Sequence, residues 1–198
     1  MRAYYDQRAP EYDDWWLGTG LFARRERPGW SSEVLQVVAT VRELLPAHVL
    51  DVACGTGFLT QHLRGEVVAL DQSARMLEIA GTRLAGARMV QGEAAALPFA
   101  DGEFDRVFTS HFYGHLLARD REAFVSEARR VGSELVVVDS ALRADTSGES
   151  SEEWQERVLN DGSRHRVYKR YFRGAELARE LGGGEVLHDG RWFVVVAA

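Results

Sequence analysis

Apolar positions follow two rhythms along this chain, and the rhythms alternate. In "SSEVLQVVATVRELLP", Val34, Val38, Val41 and Leu45 recur at the spacing of one helical face; Ser31 or Ser32 can cap it, and Pro46 follows its end. "HVLDVA" is then a short buried strand closed by a glycine loop, and "FLTQHL" starts the next predicted helix. "EVVALD" reads as a strand, "SARMLEIAGTRLA" as an amphipathic helix with Ser73 at its cap, and "ARMVQG" as a third strand. "FDRVFTS", "RDREAFVSEARRV" and "ELVVVDS" continue as strand, helix, strand. Strands and helices taking turns at these lengths predict right-handed crossovers and a parallel sheet.

The end of the chain departs from that order. "EVLHDGRWFVVV" sets Asp189-Gly190 between two strand-like runs, a hairpin signal. The last strand is therefore expected to run antiparallel. Two segments lie outside the pattern: residues 1–30, rich in aromatics and charge, and residues 141–173. The second starts polar, predicts a helix capped by Ser150 or Ser151, and ends in the basic-aromatic run "RHRVYKRYFR". Residues 1–198 are expected to form a single domain, with neither repeat nor long linker.

Composition narrows the function classes. A net charge of -6 over 198 residues argues against a general nucleic-acid binder, whose affinity rests on neutralising phosphates. Cys54 is the single cysteine, so no intrachain disulfide can form. No apolar run approaches the ~20 residues of a membrane span, and the first residues lack a signal-peptide core. A cytoplasmic protein is the expectation; oligomeric state is not readable.

The chemistry concentrates at "LDVACGTGFLT". Ligands of open α/β sheets bind at the carboxyl ends of strands. A dinucleotide site would carry G-x-G-x-x-G there, but Thr60 stands where the third glycine belongs. Asp51 would also repel a pyrophosphate. S-adenosylmethionine reverses this argument, because it carries an ammonium and a sulfonium and no phosphate. Asp51 can attract the ammonium, and Asp71, closing "VVALD", can accept from both ribose hydroxyls. A nicotinamide-dependent oxidoreductase is disfavoured on the same grounds.

"VLDVACGTGFLT", "VVALDQSARMLEIA" and "VQGEAAALPFADGEFDRVFTSHFYGHL", in that order, resemble the successive motifs of class I S-adenosylmethionine-dependent methyltransferases. The likeness is greatest to the broad group that includes ubiquinone/menaquinone-type enzymes, and it covers roughly residues 1–139. It implies an α/β Rossmann-like sandwich with a mostly parallel seven-stranded sheet and an antiparallel C-terminal strand. It implies that Asp51, Ala53, Gly55 and Gly57 surround the aminoacyl part of the cofactor and that Asp71 holds the ribose. Gln72 and Met76 would lie beside the adenine and ribose, Glu93 and Ala94 at the adenine edge, and Ser110 near the methionine end. Glu93 stands where the family usually has Asp, and "FRGAEL" lacks the usual Ser/Thr-Pro entry to its helix.

The resemblance also lays "YYDQRAPEYDDWW" over the cofactor. Residues 1–30 are thus expected to form a lid in which Tyr5, Tyr12 and Trp16 enclose the transfer site, with Arg24 or Arg25 at the methionine carboxylate. Aromatic faces suit a sulfonium. Such a lid implies a largely apolar or aromatic acceptor. His111 or His115 could take a proton from a hydroxyl acceptor; His115 is otherwise expected to line the cofactor pocket. Residues 141–173 would wall the substrate side, with Tyr168, Tyr171 or Arg166 in the pocket. Cys54 is expected to be only a small loop residue. Asp139 alone does not make a metal site, and none is expected. The leading expectation is a methyltransferase for a small molecule. An RNA or protein methyltransferase, or a cofactor-binding subunit without catalysis, stands as the alternative.

Overall fold

The computed structural model describes residues 2–143 and 151–198. The N-terminal segment is helical in short pieces, α1 (Arg2–Arg8) and α2 (Asp14–Leu17), with single 3-10 turns after each. There follow α3 (Trp30–Glu43), β1 (Ala47–Val52), β2 (Gly65–Asp71), α4 (Ala74–Arg83), β3 (Arg88–Gln91), β4 (Phe104–Ser110), α5 (Ala118–Val131) and β5 (Gly132–Ser140). A hairpin of β6 (Glu152–Val158) and β7 (Arg164–Arg170) precedes α6 (Gly174–Glu180), β8 (Glu185–Asp189) and β9 (Phe193–Ala197). Seven strands form one sheet in the order β3-β2-β1-β4-β5-β9-β8, parallel except at β9, which runs antiparallel to both its neighbours. This is the expected α/β architecture with its antiparallel last strand.

Strand geometry explains the burial. Successive side chains leave opposite faces, and both faces are covered. Leu50, Val52, Val107, Leu135 and Val137 pack on one side with Phe124 of α5 and Leu177 of α6. Val49, Phe108, Val136 and Val138 pack on the other with Val37 and Val41 of α3. β1 lies inside the sheet between β2 and β4, where the strand order reverses, so its carboxyl end, Asp51-Val52, opens at the switch point where such sheets bind ligands.

Several local expectations are corrected. "FLTQHL" makes a single 3-10 turn, Thr60–His62, in place of a helix. Residues 53–64 must carry the chain from β1 to β2, and the glycine loop uses the first part of them, so one turn is all that fits. Helix α3 starts at Trp30 behind Gly29 in the left-handed conformation, not behind Ser31 or Ser32. The Trp30 indole is committed to the Trp16 carbonyl at 2.8 Å, which sets the helix entry earlier. Leu45 falls beyond the helix and is exposed.

Ser151 precedes a strand and caps no helix, and Ser150 lies outside the described residues. "EEWQERV" pairs residue by residue with "RHRVYKR", from Glu152 opposite Arg170 to Val158 opposite Arg164. Opposite charges face each other across that ladder, a partnership no helix would offer. At α6 the Asp189 carboxylate accepts from the Gly174 amide at 3.2 Å, doing the work of the missing Ser/Thr cap.

The C-terminal hairpin is tied to α3 by Glu33. Its buried carboxylate accepts from the backbone amides of Trp192 at 2.8 Å and Phe193 at 2.9 Å. A Cβ at Gly190 would fall 2.1 Å from Glu33 Oε1, so only glycine permits this approach. Removing the carboxylate leaves two buried donors unpaired, at about 1–3 kcal/mol. Glu33→Ala is thus expected to lower urea-unfolding stability by about that amount, while Glu33→Gln, which keeps an acceptor oxygen, should recover most of it.

Candidate active site

The loop after β1 is shaped by left-handed residues: Ala53, Gly55 and Gly57 have φ of 59°, 56° and 77°. Gly57 turns against Leu84, whose side chain lies 3.0 Å from where a Cβ would be. Ala53 and His111 are the two non-glycine residues with positive φ among those described. They stand at the ends of the adjacent strands β1 and β4. Strained backbone held in place by its surroundings tends to mark functional positions.

Two carboxylates close the loop from either side. Asp51 is buried; its Oδ2 accepts from the Thr60 hydroxyl at 2.5 Å, and its Oδ1 is buried with no hydrogen-bond partner. Burial, opposed by the Thr60 hydrogen bond and reinforced by Asp71, pushes its acid up to about 8. A buried carboxyl group with an orphaned oxygen next to a glycine loop is suited to a cationic donor. Asp71 accepts from the Gly55 amide at 2.9 Å and the Ser73 amide at 2.8 Å, so it holds the loop as well as facing the cleft. Ser73 caps α4 as expected, accepting from Met76 at 3.1 Å.

The cleft itself is narrow. Two cavities of about 20 and 10 Å³ flank the loop, each with room for about one water. Tyr5, Asp71, Gln72 and Met76 line the first; Trp16, Asp51 and Thr60 line the second; Tyr12, Ala53 and Ser110 line both. The Tyr12 ring lies against the loop, 3.3 Å from where a Cβ at Gly55 would be. Polar latches hold the cover down. Asp6 accepts from Ser73 at 2.6 Å, and Asp13 accepts from Thr56 and pairs with Arg83, both at 2.5 Å. Trp16 stacks between Phe58 and Phe193, with ring centroids 4.7 and 5.5 Å away.

Beyond His111 lies a larger chamber of 320 Å³. The hairpin β6–β7 forms one wall. Its strand period of two turns Glu153, Gln155, Arg157 and Lys169 into the chamber, joined by Tyr171 just past the strand. The same period turns Tyr168 and Arg166 away, toward Trp154 on the outer face, so neither lines the chamber. His115 lines the chamber, not the cleft, with Nδ1 donating to the Tyr168 carbonyl at 2.7 Å. Tyr5 lines the first small cavity and Trp16 the second, and neither lines the chamber. Arg25 reaches the chamber, and Arg24 does not line it. Glu93 is exposed on the loop after β3, and neither it nor Ala94 lines these cavities.

His111 is buried, with Nε2 lacking a hydrogen-bond partner and Nδ1 3.4 Å from Ser140 Oγ. Burial, and then the charges of Lys169, Arg8 and Arg157, hold it well below the ordinary imidazole range, so it is neutral at physiological pH. Burial, then Asp51 and Asp71, raises the Cys54 thiol, which keeps it unreactive. Asp139 is paired with Lys169 at 2.5 Å and accepts from the Gly114 amide at 2.7 Å. Among the described residues no cluster of three His, Cys, Asp or Glu side chains could hold a metal.

Comparison with known proteins agrees with this geometry. The methyltransferase domain family matches residues 50–134. The demethylmenaquinone methyltransferase of Renibacterium salmoninarum is 33% identical over 145 residues, covering 70% of this chain and 58% of that protein. The solved complex of DhpI with SAM and HEP superposes with a TM-score of 0.76 at 27% identity, over 98% of this chain and 94% of the other. This chain belongs to the class I S-adenosylmethionine-dependent methyltransferases. The demethylmenaquinone methyltransferase of Thermotoga maritima is 38% identical over 101 residues, covering 48% of this chain and 43% of that protein. The chain thus spans about half the length of the curated relatives it matches. The PH0226 protein of Pyrococcus horikoshii, at 18% identity and a TM-score of 0.66 over 100% of this chain and 98% of that one, shares the fold.

The residues of the loop fit the methyltransferase cofactor: an orphaned acceptor at Asp51 for its ammonium and an acid at Asp71 for its ribose. Two outcomes are expected. Burial makes ionised Asp51 the costly form, so the unliganded protein binds a proton there that its unfolded chain releases. Stability from this group falls as pH rises from 3.8 toward about 8. An ammonium bound at Asp51 stabilises the ionised form, so below about pH 8 binding should expel a proton. Calorimetry of S-adenosylhomocysteine in buffers of different ionisation enthalpy should show that release, and affinity should weaken from pH 8 to 6. The cover should also respond: Asp13→Ala is expected to speed hydrogen exchange across residues 2–17, and the ligand to alter exchange there. Identical exchange with and without bound ligand would mean a fixed cover.

Proposed function

We propose that the protein transfers a methyl group from S-adenosylmethionine to a small molecule seated in the chamber beyond His111. One observation carries this reading: His111 and Tyr12 line both the cofactor cleft and the chamber. The two cavities share that boundary, at the end of β4, where donor and acceptor could meet. A chamber of 320 Å³ suits a metabolite better than a macromolecule.

When bound, the cofactor supplies an electrophilic methyl carbon on a sulfonium. The protein's part is to hold and align. Asp51 would fix the ammonium, Asp71 the ribose, and Tyr5, Gln72 and Met76 the nucleoside, with Glu93 and Ala94 closing its far edge. Tyr12 and Trp16 would shield the transfer from water, and His111 would set the angle of approach. Residues 1–198 act as one unit in this reading, with 1–30 as cover and 141–173 as the substrate-side wall. We place it in the cytoplasm on the strength of its lone free cysteine. No helix among the described residues is long and apolar enough to cross a membrane.

S-adenosylhomocysteine should bind in the micromolar range, about -8 kcal/mol. Asp71→Ala should cost about 1.5–3 kcal/mol of that binding. His111→Ala should spare cofactor affinity and lower turnover on the order of 10²-fold, the cost of a misaligned acceptor. Tight NAD binding with no response to S-adenosylhomocysteine would overturn the proposal.

A further inference from the structure

An apolar or aromatic acceptor is what the aromatic cover implies from sequence; the chamber wall is of another kind. Arg8, Arg25, Arg27, Arg143, Arg157 and Lys169 line it, and among the described residues Glu153 is the one carboxylate set against them. Glu153 is already engaged, accepting from the Tyr171 hydroxyl at 2.8 Å and from Gln155 at 2.6 Å. Lys169 is matched by Asp139. No carboxylate among the described residues pairs with Arg8, Arg25, Arg27 or Arg157. Arg8 rests on the Tyr12 ring at 4.8 Å, Arg27 on Trp30 at 3.9 Å, and the Nε of Arg157 is buried with no partner.

Cations gathered this closely repel one another. Arg157 is held below its ordinary value by burial and then by Arg8, and Lys169 by burial and then, against the pull of Asp139, by Arg157 and Arg8. A cofactor with ammonium, sulfonium and carboxylate adds one further net positive charge. Its carboxylate can satisfy at most one of these guanidinium groups in a bidentate pair. The rest remain.

Resting on the methyltransferase reading above, we propose that the acceptor is a small oxyanion, a carboxylate or a phosphate-type group, clamped by Arg157, Arg8 and Arg25. Its oxygen forms the new O–C bond as the C–S bond breaks, and the bonding pair stays on sulfur. The products are a neutral thioether and a methyl ester. No proton has to leave the acceptor, so the chemistry needs no base. This agrees with His111 being flanked by cations and lacking a carboxylate within hydrogen-bonding range; its Nδ1 is 3.8 Å from Asp139. His111 is then the wall that aligns the oxyanion.

The test begins with the protein loaded with S-adenosylhomocysteine, whose binding is measured first. Failure at that step sinks the methyltransferase reading itself. The loaded protein is then titrated with methylphosphonate, inorganic phosphate, propionate and the neutral propionamide. At least one oxyanion should bind tenfold or more tightly than propionamide, and whether the phosphate-type probes or propionate lead identifies the source. Arg157→Gln and the exposed-site variant Arg25→Gln should each weaken that oxyanion's binding about tenfold, and at least one of the two should leave S-adenosylhomocysteine affinity unchanged. In turnover, both should raise KM for an oxyanion acceptor far more than they lower kcat, and Arg157→Lys should restore part of the loss. Normal cofactor binding with propionamide bound as well as the anions overturns the proposal. So does oxyanion affinity that is indifferent to both Arg157→Gln and Arg25→Gln.

Discussion

A carboxylate buried at the end of β1, with no cation among the described residues to pair it, sets the terms for the glycine-loop side of this molecule. Asp51 is closed off from solvent, and its one hydrogen-bond partner among the described residues is the Thr60 hydroxyl. Buried charge without compensation is costly. The surrounding sequence keeps that cost tolerable: Thr60 turns inward, the connection to β2 shrinks to a single 3-10 turn, and Asp71 spends its oxygens on the loop amides. The loop is thereby held by hydrogen bonds from Asp71 on one side and by the Thr60–Asp51 pair on the other.

The acceptor side is built on the opposite imbalance. Across the boundary formed by Tyr12 and His111, the excess is positive. The two imbalances sit on different elements, the first on the sheet's strand ends and the second mainly on α1, its following loops and the β6–β7 hairpin. Between them the His111 ring is packed against Trp15 and Trp16, with centroids 4.5 and 4.9 Å away. An aromatic and imidazole partition thus stands between the buried Asp51 carboxyl and the cation-lined chamber.

How much of this the sequence displays depends on whether the deciding interaction is local. The strand order's antiparallel end was readable because Asp189-Gly190 is a local turn signal. Asp51, Asp71 and Ser73 were readable because each closes or follows an apolar run. The short turn at 60–62 was not, because nothing in "FLTQHL" announces that β2 begins so soon. The hairpin was not either: "EEWQERV" carries helix formers, and only the register with β7 makes it a strand. Missing the hairpin hid the alternation that separates Lys169 from Tyr168. It also hid Arg157, and Arg8 passed as one charge among many in α1. The aromatic rings of residues 1–30 are visible in the sequence, whereas the cations that share the chamber with them are gathered only by the fold.

The β6–β7 hairpin forms a two-stranded sheet of its own, tied to the seven-stranded sheet by the Lys169–Asp139 ion pair and an isolated bridge between Ala141 and Phe172. Its inward positions 153, 155 and 157 face the chamber, while the strands that shape the cofactor loop belong to another hydrogen-bonded array. A substitution at 153, 155 or 157 therefore alters the chamber wall while the strand ladder that shapes the glycine loop keeps every one of its hydrogen bonds.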